Sequence, residues 1–355
     1  MVKKVTIRDV AREAGVSIAL VSFVMNRDHR RADGSVVYRV SDETVARITE
    51  IAERLDYHPN SAASSLRSGR TRTIGVVVSD IANRFFSDIV RYIENVAYES
   101  GYTVLFASTD EKADKLERVL SVLTNKGVDG LIIAPCADGG DAVRHIVETG
   151  VPVVLLDRNI ENIEASRVML DNVRAGEMGV GRLLSSGYRH IELVSYNMGI
   201  SSIGEREDGY RKAMREAGLQ RYECIHHTLY GNVGDSVTHI VADAVRRGVE
   251  AMLFPTNTLS LYALQAVNAL GLRVPQDMAM ICFDDNEVFD LYTPTIARIG
   301  QSVELLGVKS FELLREKIEC ADSPSVSYIV EPQFVDGLSA APRLKQDIKH
   351  NKVYE

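Results

Sequence analysis

Several polar side chains follow short apolar runs, at places where they could bind a small ligand. Five of them come directly after such runs: Asp80, Asp157, Arg158, Asn257 and Asp284. Arg206 lies near the start of a predicted helix. Ligands of open α/β sheets lie beyond the carboxyl ends of the strands, and carboxylate, amide and guanidinium groups suit a polyhydroxylated ligand. The pattern predicts a binding cleft, although each residue taken alone could equally be an ordinary turn residue.

The elements that must position these residues are apolar runs alternating with amphipathic segments, a pattern typical of a parallel α/β sheet. A first series has predicted strands at 74–78, 103–107, 130–134 and 153–156, with helices near 85–100, 111–126 and 140–149. A second series has predicted strands at 191–195, 227–229, 251–254 and 279–283, with helices near 204–218, 234–247 and 259–270. The sequence therefore predicts two similar Rossmann-like lobes.

Motifs for catalysis and cofactor binding are missing from the sequence. The Gly179-Val180-Gly181 stretch lies within a predicted helix over 173–186, which favours helix packing over a dinucleotide fingerprint. His226 and His227 are predicted on a strand, with no carboxylate in motif spacing. The four cysteines are scattered singly, with no C-x-x-C pair and no metal-ligand spacing around the histidines. We expect no enzyme activity, no cofactor, no metal, and free thiols in the reducing cytoplasm.

Charge is unevenly distributed along the 355 residues, whose formal net charge is −8. Residues 1–72 hold 13 Lys/Arg against 9 Asp/Glu, whereas the remainder holds 28 against 40. This split favours an N-terminal part that meets phosphate and a body that does not, although chance clustering would give the same count. No apolar stretch is long enough for a signal peptide or a membrane span, so we expect neither export nor membrane insertion.

The basic N-terminal part has the pattern of a helix-turn-helix. Residues 6–9 form a predicted capping box, Gly15-Val16 ends the first helix, and Ser17 caps a second helix. That helix has an apolar stripe (Leu20, Val21, Val24 and Met25) and an opposite face (Ile18, Ala19, Ser22, Phe23 and Asn26). Ser41 caps a third predicted helix. In such a unit the second helix enters the major groove of DNA.

Three motifs resemble those of the lactose/galactose repressor (LacI/GalR) family of bacterial transcription regulators. They are Thr6-x-x-x-Val10-Ala11-x-x-Ala14-Gly15-Val16-Ser17-x-x-x-Val21-Ser22-x-Val24-x-Asn26, then Tyr57-x-Pro59-Asn60-x-x-Ala63-x-x-Leu66, then Ile74-Gly75-Val76-Val77. The resemblance runs to about Ser339. It implies two lobes like those of periplasmic sugar-binding proteins, with residues near 295–325 returning to the first lobe. It also implies a homodimer on an operator.

The resemblance implies roles for individual residues of the DNA-binding part. The expected DNA contacts are Thr6, Ser17, Ile18, Ala19, Ser22, Phe23, Asn26, Tyr57, Asn60, Ala63 and Leu66. Phe23 departs from the common arginine of the family, so its contact would be apolar, or it would join Ile18 in the core. Leu66 would wedge into the minor groove, unless its segment is a passive linker. The long segment Arg27–Val40 is either a backbone clamp or a solvated loop.

The resemblance also implies an effector site formed by Asp80, Phe85, Asp157, Arg158, Arg206, Asn257 and Asp284. Arg84 and Gly337 depart from residues that are frequent in the family. We therefore predict a helix-turn-helix head over 1–58, a hinge over 59–72, a two-lobed body over 73–340 and a charged tail over 341–355. The predicted function is a sequence-specific repressor of transcription controlled by a sugar or sugar derivative. The alternative is a stand-alone cytoplasmic sugar-binding protein.

Overall fold

The computed structural model describes residues 5–25, 40–57, 69–228 and 230–343, and the chain divides into two compact units, 1–71 and 72–355. The described residues of the first unit form three helices: α1 (Ile7–Ala14), α2 (Ile18–Met25) and α3 (Asp42–Arg54). The capping box of Thr6 and Asp9 begins α1, and Gly15 ends it with a positive φ of 65°, a conformation that glycine adopts without strain. Ser17 and Ser41 accept hydrogen bonds at the starts of α2 and α3. The three predicted helices are thus confirmed.

The three helices share a small apolar core. Its buried members are Val10, Ala11, Ala14, Val21, Val24, Ile48, Ile51, Ala52 and Tyr57. Each helix contributes one stripe, so the opposite face of α2 is left outside the core.

The first lobe of the second unit is a six-stranded parallel sheet. Its strands are β1 (Thr73–Val78), β2 (Thr103–Ser108), β3 (Gly130–Ile133), β4 (Val153–Leu156), β5 (Ser166–Leu170) and β11 (Ser327–Val330), in the order β11-β5-β4-β3-β1-β2. The flanking helices are α4 (Arg84–Glu99), α5 (Ala113–Asn125), α6 (Gly140–Glu148) and α12 (Val303–Glu319). Strands β1, β3 and β4 are almost wholly buried, as their continuous apolar runs predict.

The second lobe repeats the same strand order. Its strands are β6 (Ile191–Tyr196), β7 (Ile225–Thr228), β8 (Ala251–Leu253), β9 (Ala279–Phe283), β10 (Ala297–Gly300) and β12 (Gln333–Val335), in the order β12-β10-β9-β8-β6-β7. Its helices are α7 (Asn172–Ser185), α8 (Ser201–Glu216), α9 (Val233–Arg246), α10 (Asn257–Ala269) and α11 (Glu287–Leu291). Only β12 runs antiparallel to its neighbour. Two Rossmann-like lobes are therefore confirmed.

The chain crosses between the lobes three times. The first crossing joins β5 to α7 at Asp171, the second joins β10 to α12 at residues 301–302, and the third joins β11 to β12 at residues 331–332. The expected return to the first lobe is confirmed for α12, which packs on α4, but β10 stays in the second sheet. Strands β5, β10, β11 and β12 were not predicted, because they are short or lie near the edge of a sheet.

Two glycines let α7 and α8 pack backbone against backbone. A Cβ added to Gly176 would lie 2.3 Å from the carbonyl oxygen of Arg206, and one added to Gly209 would lie 2.0 Å from that of Val173. Any side chain larger than hydrogen would therefore force the helices apart. This contact holds the start of α8 against the start of α7, and both starts carry residues of the site described below.

Candidate functional site

The start of α2 has exposed residues that are available to a partner. Ile18 is 45% exposed, and Ala19 is also exposed. Phe23 is half-buried and packs against the core of the head, so the alternative of a core role fits Phe23 but not Ile18. Tyr57 lies within that core, where burial raises the pKa of its hydroxyl. Its ring therefore supports the fold of the head.

Two expected DNA-contacting residues, Thr6 and Ser17, act locally as helix caps. The backbone nitrogen and hydroxyl of Thr6 both donate to Asp9 Oδ2, at 3.0 and 2.7 Å. Ser22 is half-buried on α2. The described residues do not include four of the expected DNA contacts: Asn26, Asn60, Ala63 and Leu66. They also exclude the segment Arg27–Val40, apart from Val40 itself, and the tail beyond Arg343.

Asp157 and Asp284 occupy equivalent positions in the two lobes. Each comes directly after the strand that is third in the spatial order of its sheet, β4 for Asp157 and β9 for Asp284. Each has a positive φ, 64° for Asp157 and 69° for Asp284. Both side chains are buried. Left-handed backbone is tolerated by aspartate better than by most residues, and here it accompanies a sharp turn out of the strand. The two carboxylates thus lie where α/β sheets bind ligands.

Arg206 is the positive charge beside these carboxylates. Its Nε donates to Asn172 Oδ1 at 2.8 Å and its Nη1 donates to the carbonyl oxygen of Pro255 at 2.6 Å. Its guanidinium carbon lies 4.7 Å from the centroid of the Phe283 ring, a cation–π distance. Neither hydrogen bond uses Nη2. The side chain is 4% exposed, so its orientation is fixed by these contacts.

The Asp284 carboxylate is held by two hydrogen-bond donors, one at each of its oxygens. Its Oδ2 accepts from the backbone nitrogen of Asn257 at 2.8 Å, and its Oδ1 accepts from Gln301 Nε2. The Asn257 side chain in turn links Asn83 of the first lobe to Asn286 of the second, each at 3.3 Å. The structure therefore brings Asn257 and Asp284 together, as expected.

Burial dominates the electrostatics of this cluster. It raises the pKa of Asp157 and of Asp284 above the ordinary aspartate value, and it lowers the pKa of Arg206. Arg158 and Arg206 oppose the shift at Asp157, and Arg206 opposes it at Asp284. Because each group shifts the pKa of the others, Asp157, Arg206 and Asp284 form one electrostatic unit.

Arg158 is buried beside Asp157 but is already occupied by protein groups. Its Nη1 and Nη2 donate to the two oxygens of Glu111 at 2.8 and 2.7 Å, and Nη1 also donates to the carbonyl oxygen of Pro135 at 2.9 Å. Its Nε lies 3.4 Å from Asp157 Oδ2 without a hydrogen bond. This bidentate ion pair fixes the orientation of the Arg158 guanidinium.

The remaining two candidates lie at the start of α4. Asp80 is half-buried and accepts from the backbone nitrogen of Ala82 at 2.8 Å, a local turn contact. Phe85 is buried, with its ring 5.0 Å from that of Phe86 in an edge-to-face arrangement. The backbone nitrogen of Phe85 donates to Asn83 Oδ1 at 3.2 Å, and the same oxygen accepts from the Asn257 side chain. Arg84 instead reaches across to Glu287 of the second lobe at 3.0 Å.

Sequence reasoning missed the residues that hold the cluster in place. Asn172, Gln301 and Glu111 each bond a charged group of the site, yet none follows a predicted strand. Asn172 and Gln301 lie at crossings between the lobes, whose course depends on strands that the sequence did not reveal.

The two adjacent histidines have carboxylate partners in the fold, although none lies in motif spacing. They lie on strand β7 as expected, but each has a carboxylate partner: His226 Nε2 is 2.7 Å from Glu192 Oε2, and His227 Nε2 is 3.1 Å from Glu207 Oε1. Both partners come from other elements, so no local spacing could show them.

Within the described parts of the chain, no helix combines the length and apolarity needed to cross a membrane.

Comparison with known proteins connects both units to one family. Residues 6–60 match the model for bacterial regulatory proteins of the lacI family, and residues 71–335 match that for periplasmic binding proteins and the sugar-binding domain of the LacI family. The HTH-type transcriptional repressor PurR of Vibrio atlanticus is 27% identical over 336 residues, which is 93% of this chain and 97% of that protein.

Two solved structures are also similar over nearly the whole chain. The lac repressor dimer bound to operator and the anti-inducer ONPF is 25% identical with a TM-score of 0.82, covering 96% of this chain and all of that one. The complex of the transcriptional regulator CelR with cellobiose is 25% identical with a TM-score of 0.68, covering 95% and 100%. These relatives are regulators, which confirms that the chain is not an enzyme. The chain belongs to the LacI family, as a transcription repressor that joins a DNA-binding helix-turn-helix to a periplasmic-binding-protein-like effector domain.

Proposed function

We propose that the exposed face of α2 reads an operator in the major groove of duplex DNA, in the cytoplasm where that DNA lies. Ile18 and Ala19 supply the accessible base-contacting surface, and Phe23 contributes only the part of its ring that the core of the head leaves exposed. Apolar groups of this kind contact thymine methyl groups rather than guanine. The operator is therefore A·T-rich at the positions that face the start of α2.

Ala19→Asp tests this assignment, because it places a negative charge on the proposed reading face. We expect operator affinity, measured by fluorescence anisotropy on duplexes selected from a random library, to be lost in the variant. Ala46→Asp is the matched control, since Ala46 is also exposed but lies on α3. Parent affinity should fall linearly on a log–log salt plot as phosphate contacts release counterions. Equal losses in the two variants would contradict a reading role for α2.

The hinge and the partner copy complete the proposed DNA complex. Asn60 and Ala63 contact the operator, and Leu66 enters the minor groove and bends the duplex. A bend angle that is unchanged in Leu66→Ala would favour a passive linker.

A homodimer would present two heads to a palindromic operator. Its natural contact is the edge of the first sheet, where Tyr98, Phe106 and Val122 expose large apolar surface on α4, β2 and α5.

We propose that the cleft binds a small polyhydroxylated effector, a sugar or sugar derivative, which controls operator affinity. The observation that carries this proposal is the pair of equivalent buried carboxylates, Asp157 and Asp284. Both interact electrostatically with the buried guanidinium of Arg206. Asp284 and Asp157 would accept hydrogen bonds from hydroxyl groups, and Arg206 would donate from Nη2. The Arg158 charge lies 3.4 Å from Asp157 and favours its ionised form, while Asn257, Asp80 and Phe85 would line the cleft mouth. The cellobiose complex of a similar regulator supports this class of ligand.

Calorimetric titration of a panel of sugars, with purines included, into parent and Arg206→Ala protein tests the proposal. We expect one sugar class to bind the parent and not the variant. Arg144→Ala is the matched control, because Arg144 is a half-buried arginine that pairs with Asp141 of its own helix. Ligand and DNA must change each other's affinity by the same factor, typically about 1–3 kcal/mol of coupling. Binding that survives in Arg206→Ala would remove this residue from the site, and sugar binding without any operator binding would favour a stand-alone sugar-binding protein.

A further inference from the structure

A second cluster of functional groups lies away from the cleft, at the amino ends of β6 and β7. It consists of Glu192 on β6, and of Cys224 and His226 at the start of β7. The Cys224 Sγ lies 3.5 Å from His226 Nε2, which lies 2.7 Å from Glu192 Oε2. The three ligand atoms all lie within 4.8 Å of one another.

Strand register is what assembles this cluster. The parallel pairing joins Leu193 to Ile225 and Val194 to His226, so Glu192 stands beside Cys224. Residues two apart on a strand point to the same face, which puts Cys224 and His226 side by side. A thiol, an imidazole and a carboxylate therefore converge at the edge of the second sheet, because β7 is its outermost strand.

One separation already fits a tetrahedral transition-metal site, and a second lies within about 1 Å of it. Zinc binds sulfur at about 2.3 Å, nitrogen at about 2.0–2.1 Å and carboxylate oxygen at about 2.0–2.2 Å. Tetrahedral angles then separate sulfur from nitrogen by roughly 3.6 Å and nitrogen from oxygen by roughly 3.4 Å. The sulfur–nitrogen distance of 3.5 Å already fits. The nitrogen–oxygen pair needs to open by less than about 1 Å once a metal replaces its hydrogen bond.

The surroundings supply both a supporting shell and an entry route. Glu192 has a side chain only 1% exposed, and its Oε1 lies 3.1 Å from His190 Nε2, which would keep the carboxylate oriented. The side chains of His190 and His226 are each 22% exposed, so solvent reaches the cluster. A metal at this place would be bound at the surface of the lobe, with water completing its coordination.

Arg247 is the positive partner of Glu192. It follows α9 and donates to both oxygens of Glu192, at 2.6 and 2.7 Å, and its Nε also bonds Asp243 at 2.7 Å. A buried carboxylate needs a positive partner. Because the Arg247 side chain is 38% exposed and Asp243 lies one helical turn before it, the guanidinium can leave Glu192 and keep its second carboxylate.

We propose that Glu192, Cys224 and His226 bind a divalent transition-metal ion of the zinc type, which displaces Arg247 from Glu192. Coordination requires the Cys224 thiolate and the His226 tautomer with its proton on Nδ1, so binding releases the thiol proton to solvent. The set of one sulfur, one nitrogen and one oxygen ligand excludes Mg²⁺ and Ca²⁺, which prefer oxygen alone. This proposal is independent of the effector site.

Titration of the full chain with Co²⁺ tests the site through its spectrum. We expect one ion per chain, visible bands of a tetrahedral site, a near-ultraviolet sulfur-to-cobalt charge-transfer band, and loss of all of them on addition of Zn²⁺. Cys224→Ser should remove the charge-transfer band and weaken binding by at least about tenfold. Cys320→Ser is the matched control, since Cys320 is an exposed thiol outside the cluster. Arg247→Ala should bind Co²⁺ more tightly than the parent, because it removes the competing charge.

Three results would overturn the proposal: no Co²⁺ uptake, a spectrum without the charge-transfer band, or a band that persists in Cys224→Ser and disappears in Cys320→Ser. Circular dichroism of each variant establishes that it is folded. His226→Gln provides a second variant that keeps the thiol, and we expect it to shift the visible bands and weaken binding.

Discussion

The close packing of α7 on α8 gives the sharpest test of how the fold supports the site. In Gly209→Ala the new methyl carbon would lie 2.0 Å from the carbonyl oxygen of Val173, whereas ordinary carbon–oxygen contacts are about 3.3 Å or longer. The helices would have to separate by roughly 1 Å, and overpacking of this kind costs about 1–3 kcal/mol or more. We therefore expect Gly209→Ala to lower the free energy of unfolding.

Gly204→Ala is the matched control on the same helix. Nothing lies within 4 Å of a Cβ added there, so alanine gains helix propensity without a clash and should stabilise by about 0.5–1 kcal/mol. The two substitutions make the same chemical change in α8 but should differ in sign. Urea unfolding followed by circular dichroism measures both, and equal stabilities would refute the packing argument.

The partner helix allows the same comparison. Gly176→Ala on α7 would press on the carbonyl oxygen of Arg206, whereas a Cβ added to Gly181 meets nothing within 4 Å. We expect Gly176→Ala to destabilise the body and also to move the backbone that carries Arg206, and Gly181→Ala to do neither. Loss of stability in both variants would show that glycine is needed in α7 for another reason.

Two further outcomes concern titratable groups. Because burial raises the pKa of Asp284, its ionised form destabilises the fold near neutral pH. We therefore expect Asp284→Asn to raise Tm at pH 7, with Gln301 turning its unpaired Oε1 toward the new amide. This gain in Tm should vanish at low pH, where Asp284 of the parent is protonated. A lower Tm at pH 7 would contradict this sign. Burial also raises the pKa of Cys282 to about 12. A thiol reagent should therefore label exposed Cys320 rapidly and Cys282 only on unfolding. Cys320→Ser should remove the fast phase of labelling.

The sequence was sufficient where local chemistry decides the structure. The buried strands β1, β4 and β9 are continuous apolar runs, and the helices of the head begin at Ser17 and Ser41, which can cap them. Asp157 and Asp284 were predicted from the ends of their strands, where α/β sheets bind ligands, and Arg206 was predicted from its place near the start of a helix. These features need no knowledge of distant residues.

The sequence was insufficient where the fold pairs residues far apart in the chain. Strand β11 is an edge strand that pairs with β5 and has two exposed positions. Strand β5 alternates buried and half-buried positions, so neither β5 nor β11 is a continuous buried run. Glu111 was invisible as the partner of Arg158 because nothing in its local sequence predicts an ion pair. His226 and Glu192 meet only through the register of two strands.

The crossings between the lobes have a mechanical consequence. The first crossing ends in Asn172, which holds Arg206, and the second begins with Gln301, which holds Asp284. Each proposed anchor for the effector is therefore tied to the backbone about which the lobes would turn. A torsional change at either connection would displace the proposed anchor, and a ligand bound to the anchor would act on the connection. Binding of the proposed effector and rotation of the lobes would thus be coupled at each connection through one hydrogen-bonded side chain, Asn172 or Gln301.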